Sequence, residues 1–264
     1  NSGVLILGMR DNSYTSEIVR DGKTLILFAA NLKDDRPTTE IENIATEAFE
    51  KLSKLFKEEK QVLYIRDTHE LRSKSELFWS ISYTDTNEAT IGMPRWGDDE
   101  TQIENLTFAI NQALYVLVRR QHVGASNWFG AEVLSRGFSA YYAETVTGYE
   151  CPLRLLMRPD RFRRLSMARH WIRPYETHYG RWKPEAVDLW NATSVGLEIA
   201  KLLSGDDDPL AFCLEEGISW HGFGSSSLLW VLNHPKRKRS ARILEGKALQ
   251  PRLSLTRLIS DHPF

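Results

Sequence analysis

The sequence predicts an α+β protein in which a small strand-rich N-terminal part packs on a mainly helical C-terminal part. Three observations carry that reading. Short apolar runs closed by turn residues recur over about the first 95 residues, the size of a half-domain. From Asp98 onward the apolar positions recur at helical spacing and stay there. No Gly/Ser or Pro-rich linker, internal repeat or low-complexity tract separates the two patterns. The expected division is 1–97, strand-rich with one long helix; 98–232, helical; and 233–264, a basic tail.

The first run, Val4–Met9, reads as a strand closed by Arg10-Asp11-Asn12-Ser13. Asp21-Gly22 then marks a turn before Thr24–Leu32, apolar enough for a buried strand. Thr38 or Thr39 caps a helix over Glu40–Glu59, whose Ile41, Ile44, Ala48, Leu52, Leu55 and Phe56 share one face. Gln61–Arg66, Leu77–Tyr83 and Ala89–Met93 follow as strands, the last stopped by Pro94. The helical half comprises two central helices within Glu104–Tyr149, broken at HVGASN, and then Leu153–Trp171 and Glu185–Leu203. Shorter pieces stand around Leu210–Glu216 and Ser225–Leu232.

Composition excludes several classes. The 264 residues are 42% hydrophobic and 26% charged, which is globular rather than disordered. Lys+Arg 34 against Asp+Glu 35 leaves a net charge of −1, so no global field draws in nucleic acid or an anionic membrane. The basic residues Lys236–Arg239 and Arg242, with Lys247, Arg252 and Arg257 beyond, lack interleaved aromatics and read as a solvated surface segment. No run approaches the roughly 18 apolar residues of a membrane span. Cys151 and Cys213 make neither a disulfide framework nor a metal knuckle; two buried thiols in a reducing compartment give a cytoplasmic lean. The chain begins Asn1-Ser2-Gly3 without Met, as a trimmed or processed chain would. Oligomeric state has no signature.

At 100° per residue the first central helix presents Ile103, Leu106, Ile110, Leu114 and Leu117 on one stripe. Phe108, Asn111, Tyr115 and Val118 form a second uncharged flank, so both faces are expected to be buried. Asn111 and Tyr115 stand one turn apart with Gln112 beside them. That spacing is the geometry of H-E-x-x-H, in which two histidines hold zinc from one helix face and the glutamate activates the bound water. The pentapeptide here is Asn111-Gln112-Ala113-Leu114-Tyr115. In the second central helix, Ser-Arg-Gly-Phe-Ser-Ala-Tyr looks like the helix that gives gluzincin-type peptidases their third ligand, a glutamate followed by glycine, with Arg136 and Gly137 at the matching positions.

On these features the chain resembles the zincin metallopeptidases of gluzincin type, most nearly a family of uncharacterised zinc-dependent protease-like proteins. The likeness rests on the edge-strand-like EATIGMP, the paired helices and the later helix LWNATSVGLEIAKLL, over roughly residues 85–205. The resemblance implies a zincin-like fold, and zinc as the cofactor of related proteins. The residues at the matching positions depart from it. Asn111 offers only an amide oxygen, and Gln112 has no basic oxygen with which to deprotonate water. Tyr115 ligates metals only as phenolate, and its reference pKa is about 10. Arg136 puts a permanent cation where a dication would sit. No catalytic residue is intact and no metal or other cofactor is expected.

Two arrangements of Arg136 are open. Its guanidinium fills the volume of the missing metal, held by Asn111, Gln112 and the Tyr115 hydroxyl. Alternatively it pairs with Glu132, one turn earlier, on a solvated helix face. His122 ends its helix where a cation suits the dipole. His221 lies in a Gly/Ser segment without the lysine of a phosphate loop, and no nucleophile elbow is present. The expected function is a pseudopeptidase that binds a peptide or protein, with an extended peptide added along the cleft-edge strand as one mode. The alternatives are a working metallohydrolase with an unconventional site drawn from Glu132, Glu144, His170 and His178, or an inactivated or engineered variant of a zinc peptidase.

Overall fold

The computed structural model describes residues 13–30, 38–67, 80–93, 99–124, 129–152, 161–175 and 186–220, together with Leu228 and Leu232. The architecture is α+β. It divides into two compact units, Asn1–His122 and Val123–Phe264. The expected strand at Val4–Met9, the segments around His178 and His221 and the basic tail lie outside the described residues.

In the first unit, β1 (Ser13–Arg20) and β2 (Lys23–Ala30) form a hairpin around Asp21-Gly22. Both turn residues have positive φ, 50° and 73°, as a two-residue hairpin with the sheet's own twist requires. Ser53 donates a hydrogen bond to the Asp21 carboxylate at 2.5 Å and fastens the turn to the end of α1 (Thr38–Leu52). Next come β3 (Lys60–Asp67), β4 (Ser80–Tyr83) and β5 (Glu88–Met93). The sheet order is β1-β2-β3-β5-β4. The pairs β2–β3 and β3–β5 are parallel, and the two outer pairs are antiparallel.

Alternation along the strands places the core on one face. Leu27 registers with Leu63, and Ala29 with Ile65. Ile65 registers with Ile91, and Ile91 with Ile81; all six are buried. Ile41, Ala45, Ala48, Phe49 and Leu52 of α1 are buried as well, and α1 lies against β1 and β2. On the opposite face Phe28 stacks on Tyr64, its register partner, with ring centroids 5.0 Å apart.

Three expectations are corrected here. The first strand of the described sheet is Ser13–Arg20, a stretch beyond the turn at Arg10–Ser13 to which the sequence reading assigned no element. The long helix stops at Leu52 and closes with one tight turn, Ser53–Leu55, instead of running to Glu59. Ser53 also donates to the Glu50 carbonyl at 3.1 Å, a local bond that competes with helix propagation. Phe56 leaves in extended conformation to meet Phe49, with ring centroids 5.6 Å apart. The third concerns EATIGM, which is not an edge strand: β5 is paired on both sides, and Ala89, Ile91, Gly92 and Met93 are buried. The edge is β4.

α2 (Asp99–Val123) completes the first unit, and every residue from Phe108 to Arg119 along it is buried. It ends at Gly124, whose φ of +81° is the left-handed termination glycine allows. Its last turn is tied to the entry of β3. Gln121 Oε1 accepts from the backbone N–H groups of Lys57 at 2.8 Å and Glu58 at 3.1 Å. Its Nε2 donates to Gln61 Oε1 at 2.6 Å, and His122 Nε2 lies 2.9 Å from the Leu55 carbonyl.

The second unit is helical: α3 (Phe129–Thr147), α4 (Arg161–Ile172), α5 (Ala186–Ser204) and α6 (Pro209–Ala211), which runs on into a wide π turn at Phe212–Gly217. α3 and α5 touch through glycine. A Cβ on Gly137 would fall 2.1 Å from the Gly196 carbonyl carbon, and one on Gly196 would fall 2.1 Å from the Val133 carbonyl oxygen. The same pair of helices is bridged by Glu144 and Lys201, while the other Glu144 oxygen accepts from Cys151 N–H at 2.9 Å. Phe138, Phe212 and Trp220 cluster beside this crossing, and Phe129, Trp171 and Tyr175 form a second aromatic group, with Phe129 and Tyr175 stacked at 4.2 Å.

Candidate functional site

Asn111, Gln112 and Tyr115 sit near the middle of α2 and are all but inaccessible, at 3%, 3% and 0% exposure. Those values decide the character of the pentapeptide: its polar groups belong to the interior and not to a wet surface. Asn111 donates from Nδ2 to the Thr107 carbonyl, one turn back, at 2.9 Å. That bond fixes the amide's orientation, since flipping it would set two acceptors face to face. Its Oδ1 is buried and has no hydrogen-bond partner. A buried acceptor without a donor is costly by about 1–3 kcal/mol and is rare in interiors.

Arg136, on α3, forms an ion pair with Glu132 one turn earlier, Nε to Oε1 at 2.7 Å. The pair was expected on a solvated face. Instead both side chains are largely covered, with 12% and 19% exposure. The next residue is Gly137, so the Arg136 backbone stands directly at the contact with α5.

Two residues of the unconventional hydrolase site, Glu132 and Glu144, are otherwise engaged. Glu132 holds Arg136, and Glu144 holds Lys201 and the Cys151 N–H. His170 is exposed at the end of α4, and His178 lies outside the described residues. Among the described residues no group of three or more His, Cys, Asp or Glu side chains stands close enough to hold a metal ion.

A second set of groups in the α-helical unit escaped the sequence reading. Tyr141 donates to Ser204 Oγ at 3.3 Å, with the Lys201 ammonium 5.7 Å above its ring. Burial pushes the Tyr141 and Tyr142 hydroxyls above the ordinary phenol range, Tyr142 the further of the two, and the nearby Cys213 adds to both. Both phenols are thereby held neutral, as donors and not as anions. Only the i, i+4 spacing of Tyr141 and Thr145 on α3 hints at a polar strip there. In the first unit, the sequence reading likewise passed over Arg120, whose guanidinium lies 5.1 Å above the Tyr83 ring at the end of the edge strand β4.

No protein-family model matches the sequence, and no curated protein matches it. Solved structures do. The chain is similar to an aminopeptidase N family protein from Idiomarina loihiensis at 11% identity and a TM-score of 0.47, covering 94% of this chain and 49% of that one. It is also similar to the M1 zinc metallopeptidase from Deinococcus radiodurans at 15% identity and a TM-score of 0.42, covering 89% and 50%. The chain spans about half the length of these proteins. Among the described residues no helix is long and apolar enough to cross a membrane.

Proposed function

We propose that the chain is a zincin-like scaffold that has lost its zinc site and acts as a pseudopeptidase, binding an extended peptide or a protein segment. The observation that carries the reading is the burial of two neutral amides, Asn111 and Gln112, at the centre of α2, where the motif would require an imidazole and a carboxylate. The donor set does not fit zinc. Asn111 retains one neutral oxygen, Gln112 is a neutral amide, Tyr115 is a phenol, and the cation of Arg136 is engaged by Glu132. No hydrolytic step is therefore routed through a metal.

The edge strand supports the binding half of the proposal. β4 is paired on one side only among the described strands, so its outer main-chain groups suit the addition of a further strand.

Metal analysis of protein purified without chelator, run beside a peptidase assay, tests the loss of the site. The expected result is substoichiometric zinc and no turnover; one zinc per chain with turnover overturns the proposal. The combined variant Asn111→His, Gln112→Glu, Tyr115→His and Arg136→Glu is expected to gain zinc. A refolded, stable variant that takes up none would remove the inherited scaffold from the account.

A further inference from the structure

We infer that the outer face of the sheet docks one amphipathic helix of another protein, with Lys or Arg on both borders of its apolar stripe. This surface is separate from the β4 edge, so the two proposals stand or fall independently.

Alternation assigns each strand residue to one face or the other. Tyr14 and Ser16 both donate to the Glu42 carboxylate of α1, at 2.9 and 2.7 Å, so α1 covers their face. Thr15, Glu17 and Val19 belong to the opposite face, where Phe28 stacks on Tyr64. Register lines that outer face up in rows. One row runs Thr15, Phe28, Tyr64, Thr90, and the next runs Glu17, Ile26, Val62, Glu88.

Ile26, Phe28, Val62 and Tyr64 therefore make an apolar stripe two strands wide. All four are half-buried, and Val19 on the β1 side is 54% exposed. Leu27 and Leu63, register partners on the α1 face, are wholly inaccessible. A layer seated on the outer face would leave the stripe as inaccessible as those two. The pairs β2–β3 and β3–β5 are parallel, and parallel strands are ordinarily covered on both faces by helices. One helix on the stripe completes that layering.

Width and charge specify the helix. Glu17 and Glu88 end one row, three strand spacings or about 14 Å apart. A helix with its side chains is about 10–12 Å across, so a single helix fits between the two carboxylates. Among the described residues neither carboxylate has an ion-pair partner. Burial pushes the Tyr64 hydroxyl above the ordinary phenol range and the Glu88 charge adds to it, as a carboxylate beside the stripe would. Basic residues bordering the helix's apolar stripe would lay their stems on the sheet and reach one glutamate on each side. Lys60 and Arg66 are exposed at the two ends of β3, beyond the glutamate row, and repel cations at the helix ends. The matching helix is thus basic at the middle of both borders and not along its whole length.

The test uses a fluorescein-labelled, stapled helical peptide of about 14 residues, the span from Lys60 to Arg66. It carries a Leu stripe, with Lys at the middle of both borders, and is titrated against the full chain by fluorescence anisotropy. The expected result is binding that weakens about tenfold when those Lys are replaced by Glu. Glu17→Gln and Glu88→Gln are each expected to weaken the Lys probe by about two- to fivefold, and by less in high salt. A benzophenone at the centre of the Leu stripe is expected to label β2 or β3. Labelling elsewhere, affinity indifferent to both substitutions, or no binding overturns the inference. Sedimentation velocity provides the remaining arm: a dimer of the chain that Ile26→Lys dissociates, with its circular dichroism unchanged, makes the face a contact between copies and overturns it too.

Discussion

Gly137 and Gly196 carry the near contact of α3 with α5, and the closeness of that contact sets what a substitution does. A Cβ at 2.1 Å from backbone atoms has no flexible side chain to displace, so one helix must move off the other. Gly137→Ala is expected to destabilise the chain by about 3 kcal/mol, read as a lower urea midpoint at unchanged slope. At Gly22 and Gly148 nothing lies within 4 Å of an added Cβ, so the clash is specific to the crossing. Tyr14 offers a second residue-level outcome. Burial, with the Glu42 carboxylate adding to it, pushes its hydroxyl up from 10.0 to about 12. The neutral phenol is favoured in the folded state, so its contribution is fully present below pH 10 and is lost as pH rises toward 12. Urea titrations across that range are expected to show a fall in stability that is smaller in Tyr14→Phe.

Elements were legible where their burial is one-sided. β2, β3 and α1 announce themselves because alternation or helical spacing follows from a single buried face. β1 did not, because Thr15, Glu17, Val19 and Arg20 are exposed and Ile18 alone is buried; an edge strand held by its neighbour has little apolar signal. α1 was read too long because Leu55 and Phe56 continue the apolar spacing, while the side-chain bonds of Ser53 that end the helix are invisible to a periodicity argument. β5 was read as edge-like from the family resemblance, although its buried Ala89, Ile91 and Met93 mark an interior strand. The last turn of α2 shows how much a single polar residue can organise. Gln121→Ala removes the acceptor of two backbone N–H groups at the entry of β3, and is expected to cost about 1–3 kcal/mol by denaturant titration. Gln121→Glu, which keeps an acceptor, is expected to lose less.

At the scale of the whole molecule, the α+β class was legible and the site only in part. The change from short apolar runs to helical spacing near Asp98 reflects the switch from sheet to helices. The pentapeptide's identity and the i, i+4 relation of Glu132 to Arg136 were plain in the sequence. The burial of that ion pair was not, because coverage comes from packing that no local spacing encodes. The same holds for Arg120, whose meaning depends on a ring 37 positions earlier in the chain (120 − 83). The contact of Gly137 with Gly196 has one more consequence, for the comparison of sequences. Enlarging either residue cannot be offset by changing the other, since neither has anything left to remove. Chains that keep this helix crossing should carry glycine at both positions together, which makes the pair an anchor for aligning relatives too distant for ordinary similarity to register.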